Sequence, residues 1–306
     1  MFEARAGRRA TIAELATATG TNPRGLELLL NASAALGWVE KHGSQFSNTA
    51  LTDACLTSRG SADMARSLRL ESAFYRRWGN LAEAVRTGKR PVDNRSDEQP
   101  EDWVRDFIHG LYTMARPVAP AIAEALALPE DRPVRVIDVG GGHGGYSLAL
   151  AQRYPRLTAT VFDLPRVIPV TREIVGQAGL ADRVSVQEGD FQNEGLGGGC
   201  DVALVFGVLN GEPPDGRLAL LHKVFAALNP GGRIVIRDFV LDPDRAGPAE
   251  AAVFALQMLL ATDSGGLDTR DDWERWLSLA GFNPAVTVPL PDWIGPSLTV
   301  AIRPGI

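Results

Sequence analysis

VIDVGGGHGGYSLAL, residues 136–150, is the stretch that decides the fold. An apolar run ends at Asp138, the glycines Gly140, Gly141, Gly142 and Gly144 follow, and an apolar helical pattern begins behind them. Glycine lets a backbone turn sharply and approach a ligand without a Cβ in the way. A strand that turns through glycines into a helix occurs in dinucleotide enzymes and in other nucleotide-like cofactor sites, and the loop by itself leaves these open.

Downstream, the apolar segments TATVFDL, VSVQEGDF, DVALVFGVL and RIVIRDFVL alternate with helical stretches such as DGRLALLHKVFAAL. Alternation of this kind implies βαβ units, so the expected class is α/β, a doubly wound, mostly parallel Rossmann-like sheet with helices on both faces. AVTVPL and SLTVAI, close together near the end, are expected to close the sheet as an antiparallel pair.

Upstream, TIAELATATG reads as a helix with Thr11 as N-cap and Gly20 as stop. A second helix is expected over NPRGLELLLNASAALGWVE, with Leu26, Leu29, Leu30, Ala34 and Leu36 at helical spacing, and a hairpin turns at His42-Gly43-Ser44. Helix, helix, hairpin is a winged-helix pattern. Only Arg24 stands near the start of the second helix and no basic stripe accompanies it, so a dimerisation module is expected rather than a DNA reader. The polar stretch TGKRPVDNRSDEQPEDW, residues 87–103, is expected to be a loop. The expected domains are 1–100, linking helices 101–130, and a cofactor-binding domain 131–306.

With 45% hydrophobic and 22% charged residues and a net charge of −6, the 306-residue chain has a globular composition whose acidity disfavours nucleic acid. Cys55 and Cys200 give neither a disulfide framework nor metal spacing, and no apolar run approaches a bilayer span. The expectation is a cytoplasmic protein without metal, membrane or nucleic-acid partner.

An acid follows each of the first three strands: Asp138, then Asp163 in VFDLP, then Asp190 with Phe191 in VQEGDF. After a second strand a carboxylate suits ribose hydroxyls; after a third, an acid and an aromatic suit an adenine. Three acids together with GGG-x-G form the pattern of S-adenosylmethionine (SAM) enzymes. The chain resembles the SAM-dependent O-methyltransferases of the plant caffeate and bacterial polyketide-tailoring type. The resemblance spans nearly its whole length, through the winged-helix front, DVGGGHGGYSLALAQRYP, VFDLP, RVSVQEGDF, ALNPGGRIVIRDFVLD and WLSLAGF. It implies SAM as cofactor and S-adenosylhomocysteine (SAH) as product. It also implies a homodimer formed through the front module, which helps close a pocket for a small aromatic or polyketide-like secondary metabolite. Asp163 would hold the ribose, Asp190 with Phe191 the adenine, and the Gly140–Gly144 backbone would lie against the methionine portion, with Asp138 and Leu164 also among the cofactor-binding residues. Phe206 stands where some relatives place a polar residue near the cofactor carboxylate. Family members generally carry another helical stretch before the winged helix, and this sequence starts part-way through it.

The family's general base is a histidine after the fourth strand, in LHDW. Here the matching text is LNGE, with Asn210 in the histidine's place. PGGRIVIRD aligns without a gap downstream and puts Asp238 on one acidic position that flanks the base; Asp268, after SGGL, matches a second. A carboxamide does not accept a proton at neutral pH but can orient a substrate. General-base help amounts to about 10²–10⁴-fold, whereas positioning contributes as much as about 7–11 kcal/mol. Methyl transfer driven by proximity without the usual base is therefore expected, with Asn210 orienting; another route makes Asp238 or Asp268, raised by burial, the base. The alternative is a non-methylating reaction on the same fold: cyclisation, hydroxylation or decarboxylation. Candidate pocket residues are His109, Tyr112, Met114 and Met258; His143 would face the cofactor, and His222 would be solvated.

Overall fold

The computed structural model describes residues 1–60, 64–91 and 101–305. Two compact units emerge, residues 1–71 and 72–306, a coarser division than 1–100, 101–130 and 131–306.

In the first unit β1 (Ala10–Thr11) leads into α1 (Ile12–Thr19) and α2 (Pro23–Ala35), then β2 (Val39–His42), β3 (Gln45–Asn48) and α3 (Ala50–Leu56). Thr11 and Glu14 form a reciprocal capping box at the start of α1, and Gly20 ends it at φ +63°. The strands pair antiparallel in the order β1-β3-β2, which completes the winged helix. Leu15, Leu26, Leu30, Val39 and Phe46 make its core. Leu29 and Leu36, of the same apolar stripe, are 53% and 65% exposed.

The helices α4 (Ala65–Trp78), α5 (Leu81–Thr87), α6 (Glu101–Ala115) and α7 (Ala119–Ala125) follow. Most of the expected loop 87–103, namely 92–100, lies outside the described residues. The second unit is then built on β4 (Val134–Val139), α8 (Gly145–Arg153), β5 (Leu157–Asp163), α9 (Ile168–Gln177), β6 (Val184–Glu188), β7 (Cys200–Phe206), α10 (Pro214–Ala227) and β8 (Leu228–Arg237). It ends with α11 (Ala249–Ala261), α12 (Arg270–Leu279), β9 (Val286–Val288) and β10 (Leu298–Ile302). The sheet order is β6-β5-β4-β7-β8-β10-β9. β4 to β8 run parallel, and β10 pairs antiparallel with both β8 and β9.

Alternate residues of β4 enter two cores. Val134 and Val136 pack with helices α6 to α9, and Ile137 and Val139 pack with α10 and α12. Burial on both faces is why these strands read as continuous apolar runs. β7 stops at Phe206, short of the end of the apolar segment DVALVFGVL, because Gly207 adopts φ +69° and ends the strand. No described helix is long and apolar enough to cross a membrane.

Candidate active site

The carboxyl ends of β4, β5, β6, β7 and β8 line up in adjacent positions of the sheet, where an open α/β fold binds its ligands. At the end of β4 the chain turns through Gly140, whose φ is +63° and where a Cβ would stand 2.7 Å from Val208 Cγ2. At Gly141 a Cβ would come within 2.6 Å of Asp138 Cγ and 2.8 Å of Val161 Cγ1. Only glycine fits either position, which leaves open backbone beside the strand ends, the cradle a nucleotide-like cofactor needs.

Asp163 at the end of β5 orders this loop. Its Oδ2 accepts from Gly142 N–H at 2.7 Å and its Oδ1 from Leu164 N–H at 2.7 Å. Burial raises its pKa, against the pull of those two N–H groups. Thr171 on α9 donates its hydroxyl to Gly142 O, fixing the loop from the far side. Asp138 is buried and accepts from Ser147 Oγ at 2.7 Å. Burial pushes its pKa up to about 7, the Ser147 hydroxyl opposing and Asp163 adding to the rise.

Beyond β6, Asp190 closes its own turn: Oδ1 accepts from Gln192 N–H at 2.9 Å and Oδ2 from Asn193 Nδ2 at 2.7 Å. Lys223 Nζ donates to Phe191 O at 2.6 Å and Gln192 O at 2.9 Å, tying this loop to α10. Phe206 presents its ring edge-on to Tyr146 at 4.9 Å, in the apolar layer with α8, and not as a polar contact.

Asn210 lies in a single 3₁₀ turn, Leu209–Gly211, and is 7% exposed. Its Nδ2 donates to Asp238 Oδ1 at 2.7 Å and its N–H to Asp238 Oδ2 at 3.3 Å. Phe239 N–H adds a third donor at 2.9 Å. Burial nonetheless pushes Asp238 up to about 7, with those donors and the Arg217 charge working against it.

Asp268 has a different partner. Its Oδ1 accepts from Arg217 Nη1 at 2.6 Å, and both side chains are nearly sealed from solvent. Burial raises the Asp268 pKa, and Arg217 opposes most strongly. Arg217 also holds Leu209 O through Nε at 2.9 Å and Gly266 O through Nη2 at 2.7 Å. Gly266 N–H returns to Asn210 O at 2.9 Å. Arg217 is thus the post around which the Asn210 turn and the 265–268 loop are wound. The sequence reading missed it, since nothing in a helical arginine seven positions past Asn210 signals burial.

The expected pocket residues divide. Met258 is buried and Met114 is 56% exposed. His109 Nε2 lies 3.9 Å from Glu173 Oε1 on α9. Tyr112 faces His143 at 5.9 Å between ring centroids, and His143 in turn faces Tyr146 at 5.4 Å. His143 accepts Gly145 N–H on Nδ1 at 2.9 Å, and burial lowers its pKa to about 4, so it sits in the loop as a neutral acceptor. His222 is exposed on α10.

Known proteins match this chain over most of its length. Residues 78–283 match the O-methyltransferase domain, and residues 3–58 the O-methyltransferase dimerisation domain. The tetracenomycin polyketide synthesis 8-O-methyltransferase TcmO of Streptomyces glaucescens is 31% identical over 94% of this chain and 86% of its own. A 3-hydroxy-5-methyl-1-naphthoate 3-O-methyltransferase of Streptomyces sahachiroi is 32% identical over 94% of this chain and 84% of its own. Among solved structures, PigF with SAH superposes with a TM-score of 0.86 at 26% identity, covering 99% of this chain and 92% of that one. Both sequence relatives transfer methyl to oxygen, so the non-methylating alternative is not favoured. The chain belongs to the O-methyltransferase family: it is a SAM-dependent methyltransferase with an α/β cofactor-binding domain and a family dimerisation domain.

Proposed function

We propose that this enzyme methylates a hydroxyl of a small aromatic, polyketide-like metabolite, with Asp238 as proton acceptor in place of the family's histidine. The observation that carries the reading is the hydrogen bond from Asn210 to a buried carboxylate whose pKa lies at about 7. A base is most effective when its pKa is close to the working pH. Oδ1 of Asp238 receives Asn210 Nδ2 and Phe239 N–H, and Oδ2 receives only the longer bond from the Asn210 backbone. Oδ2 is therefore the oxygen assigned to the substrate proton, while the Asn210 carboxamide holds the carboxylate and aligns the hydroxyl.

SAM supplies an activated methyl group on a sulfonium and leaves as SAH. Gly140–Gly144 would accept its methionine portion beside Asp138, Asp163 and Leu164 its ribose, and Asp190 and Phe191 its adenine. The raised pKa of Asp163 and its place beside the open glycine backbone support that assignment. Asp268, engaged by Arg217, orders the turn that carries Asn210. The polyketide-like substrate class follows from the names of the two relatives. A homodimer is supported by the dimerisation-domain match and by Leu28, Leu29, Leu36, Trp38 and Leu51, all more than half exposed on that module.

The test is turnover of purified enzyme with SAM and a panel of hydroxylated aromatic polyketides, followed by mass spectrometry. The expected product gains one CH₂ for each SAH formed. SAH bound without any methylated product across the panel would reject the substrate class.

A further inference from the structure

Glu212 follows the turn that carries Asn210 and is 8% exposed. Its carboxylate accepts from Gln192 Nε2 on both oxygens, each at 3.1 Å. Among the described residues it has no lysine or arginine partner and no second donor. The two acids beside the same turn are answered more fully: Asp238 collects three N–H donors, and Asp268 has Arg217.

A carboxylate accepts at about four lone-pair sites. One Nε2 shared at equal distance by the two oxygens approaches on their common side and leaves the outer lone pairs unanswered. Oε2 also leans on the first turn of α10, where a Cβ on Gly216 would stand 2.9 Å away. The N-terminus of a helix favours a negative group.

The contact crosses the sheet. Gln192 belongs to the loop after β6 and Glu212 to the loop after β7, and β5 and β4 lie between those strands. The pair therefore spans the ends of the two strands that lead into Asp163 and the glycine cradle. Gln192 is the residue after Phe191, and Lys223 holds that loop in place through Phe191 O and Gln192 O. The loop's own acids are turned to their own backbone and side chains. Asp190 Oδ1 and Oδ2 take Gln192 N–H and Asn193 Nδ2, and Glu194 Oε1 takes Asp190 N–H at 3.0 Å. Glu212 thus borders the Asp190–Phe191 loop as a buried carboxylate with acceptor capacity to spare.

The donor this carboxylate already holds is an NH₂ group on a trigonal carbon, and an aminopurine presents the same donor. We propose that Glu212 is the residue by which this enzyme selects the adenine of its cofactor, accepting from the exocyclic amino group while Phe191 covers the ring. This role rests on the adenine lying at Asp190 and Phe191. Asp190 then keeps the shape of the loop, and Glu212 reads the amino group.

The experiment is calorimetric titration of the full chain with SAH and with S-inosylhomocysteine, in which an oxygen replaces the amino group. Wild type is compared with Glu212→Gln, Glu212→Asp and Asp190→Asn, with thermal unfolding of each as the measure of folding. Wild type is expected to bind SAH at least about tenfold more tightly than the inosine counterpart, whose oxygen offers the carboxylate no proton. Glu212→Gln should weaken SAH by about tenfold or more and leave the inosine counterpart bound as well or better, because a carboxamide can donate to that oxygen. Glu212→Asp, which keeps the acceptor but draws it back, should fall between the two. Asp190→Asn should keep the wild-type preference. The proposal is overturned if wild type binds the two ligands alike, if either folded Glu212 variant keeps the wild-type ratio, or if Asp190→Asn abolishes it. Binding of neither ligand by folded wild type would overturn the cofactor assignment as well. SAH binding that responds to Asp163→Asn but shows no preference for the amino group overturns the role of Glu212 alone.

Discussion

Asn210 and Asp238 share a buried hydrogen bond, Nδ2 to Oδ1 at 2.7 Å, at the position where the family's histidine is replaced. A histidine there would take the substrate proton itself. The carboxamide cannot, yet it holds an acid whose burial has brought its pKa to about 7. In the proposed mechanism, base function thereby moves one residue outward in the network, to Asp238.

Turnover should rise with pH through a single ionisation near 7 and level off above it, because Asp238 must be deprotonated to accept a proton. Asp238→Asn should lower kcat by about 10²–10⁴-fold with SAH affinity unchanged. Initial rates of SAH formation from about pH 5 to about pH 9 measure both. A flat profile would leave proximity as the sole source of rate.

The same carboxyl links stability to pH. Its folded pKa, about 7, is above the ordinary 3.8, so the native state holds this proton more tightly than the unfolded chain does. The stability it contributes is fully present below about pH 4 and is lost as pH rises through about 7, by at most about 4 kcal/mol. Asp138, also raised to about 7, acts in the same direction. Asp238→Asn should therefore gain on wild type in urea denaturation at about pH 8 and lose that advantage at about pH 4.

Asn210→Ala removes one donor to the Asp238 carboxylate, a bond to a charged group that contributes about 1.5–3 kcal/mol. The pH–rate profile should move to higher pH by about one to two units. A purely structural asparagine would lower stability and leave the midpoint of the profile in place.

Arg217→Ala strands the buried Asp268 carboxylate and frees Leu209 O and Gly266 O. It should cost about 3–5 kcal/mol in urea unfolding. Asp268→Asn, which leaves the three arginine contacts possible, should cost distinctly less. Equal losses would mean that the charge of Asp268, not the arginine's grip on two carbonyls, holds the turn.

Gly140→Ala forces φ +63° on a residue with a Cβ and drives that atom to 2.7 Å from Val208 Cγ2. A cost of about 1–3 kcal/mol is expected. Asp163→Asn keeps the shape but weakens acceptance from Gly142 and Leu164, and should weaken SAH binding by about tenfold or more. Calorimetric titration with SAH measures both variants.

Much of the architecture was legible beforehand. Apolar runs separated by helical segments identified the parallel sheet, and the glycines after Asp138 identified its binding edge, because period and glycine conformation are local properties. The limits of local information show at Leu29 and Leu36: both belong to the periodic stripe of α2, yet both are exposed. Periodicity reports that a stripe is apolar without saying what covers it. The end of β7 shows the same limit, since Gly207 outweighs the apolar continuation to Val208.

The sequence by itself determined the strand order of chemistry: an acid or its replacement at the end of each strand, with asparagine where histidine is usual. It left Asp238 and Asp268 as equivalent candidates. Tertiary structure separated them by assigning Asn210 to one and Arg217 to the other. The reason is physical: whether a charge is paired, merely buried, or poised to titrate depends on the groups that converge on it from distant parts of the chain, and residue spacing does not encode that convergence.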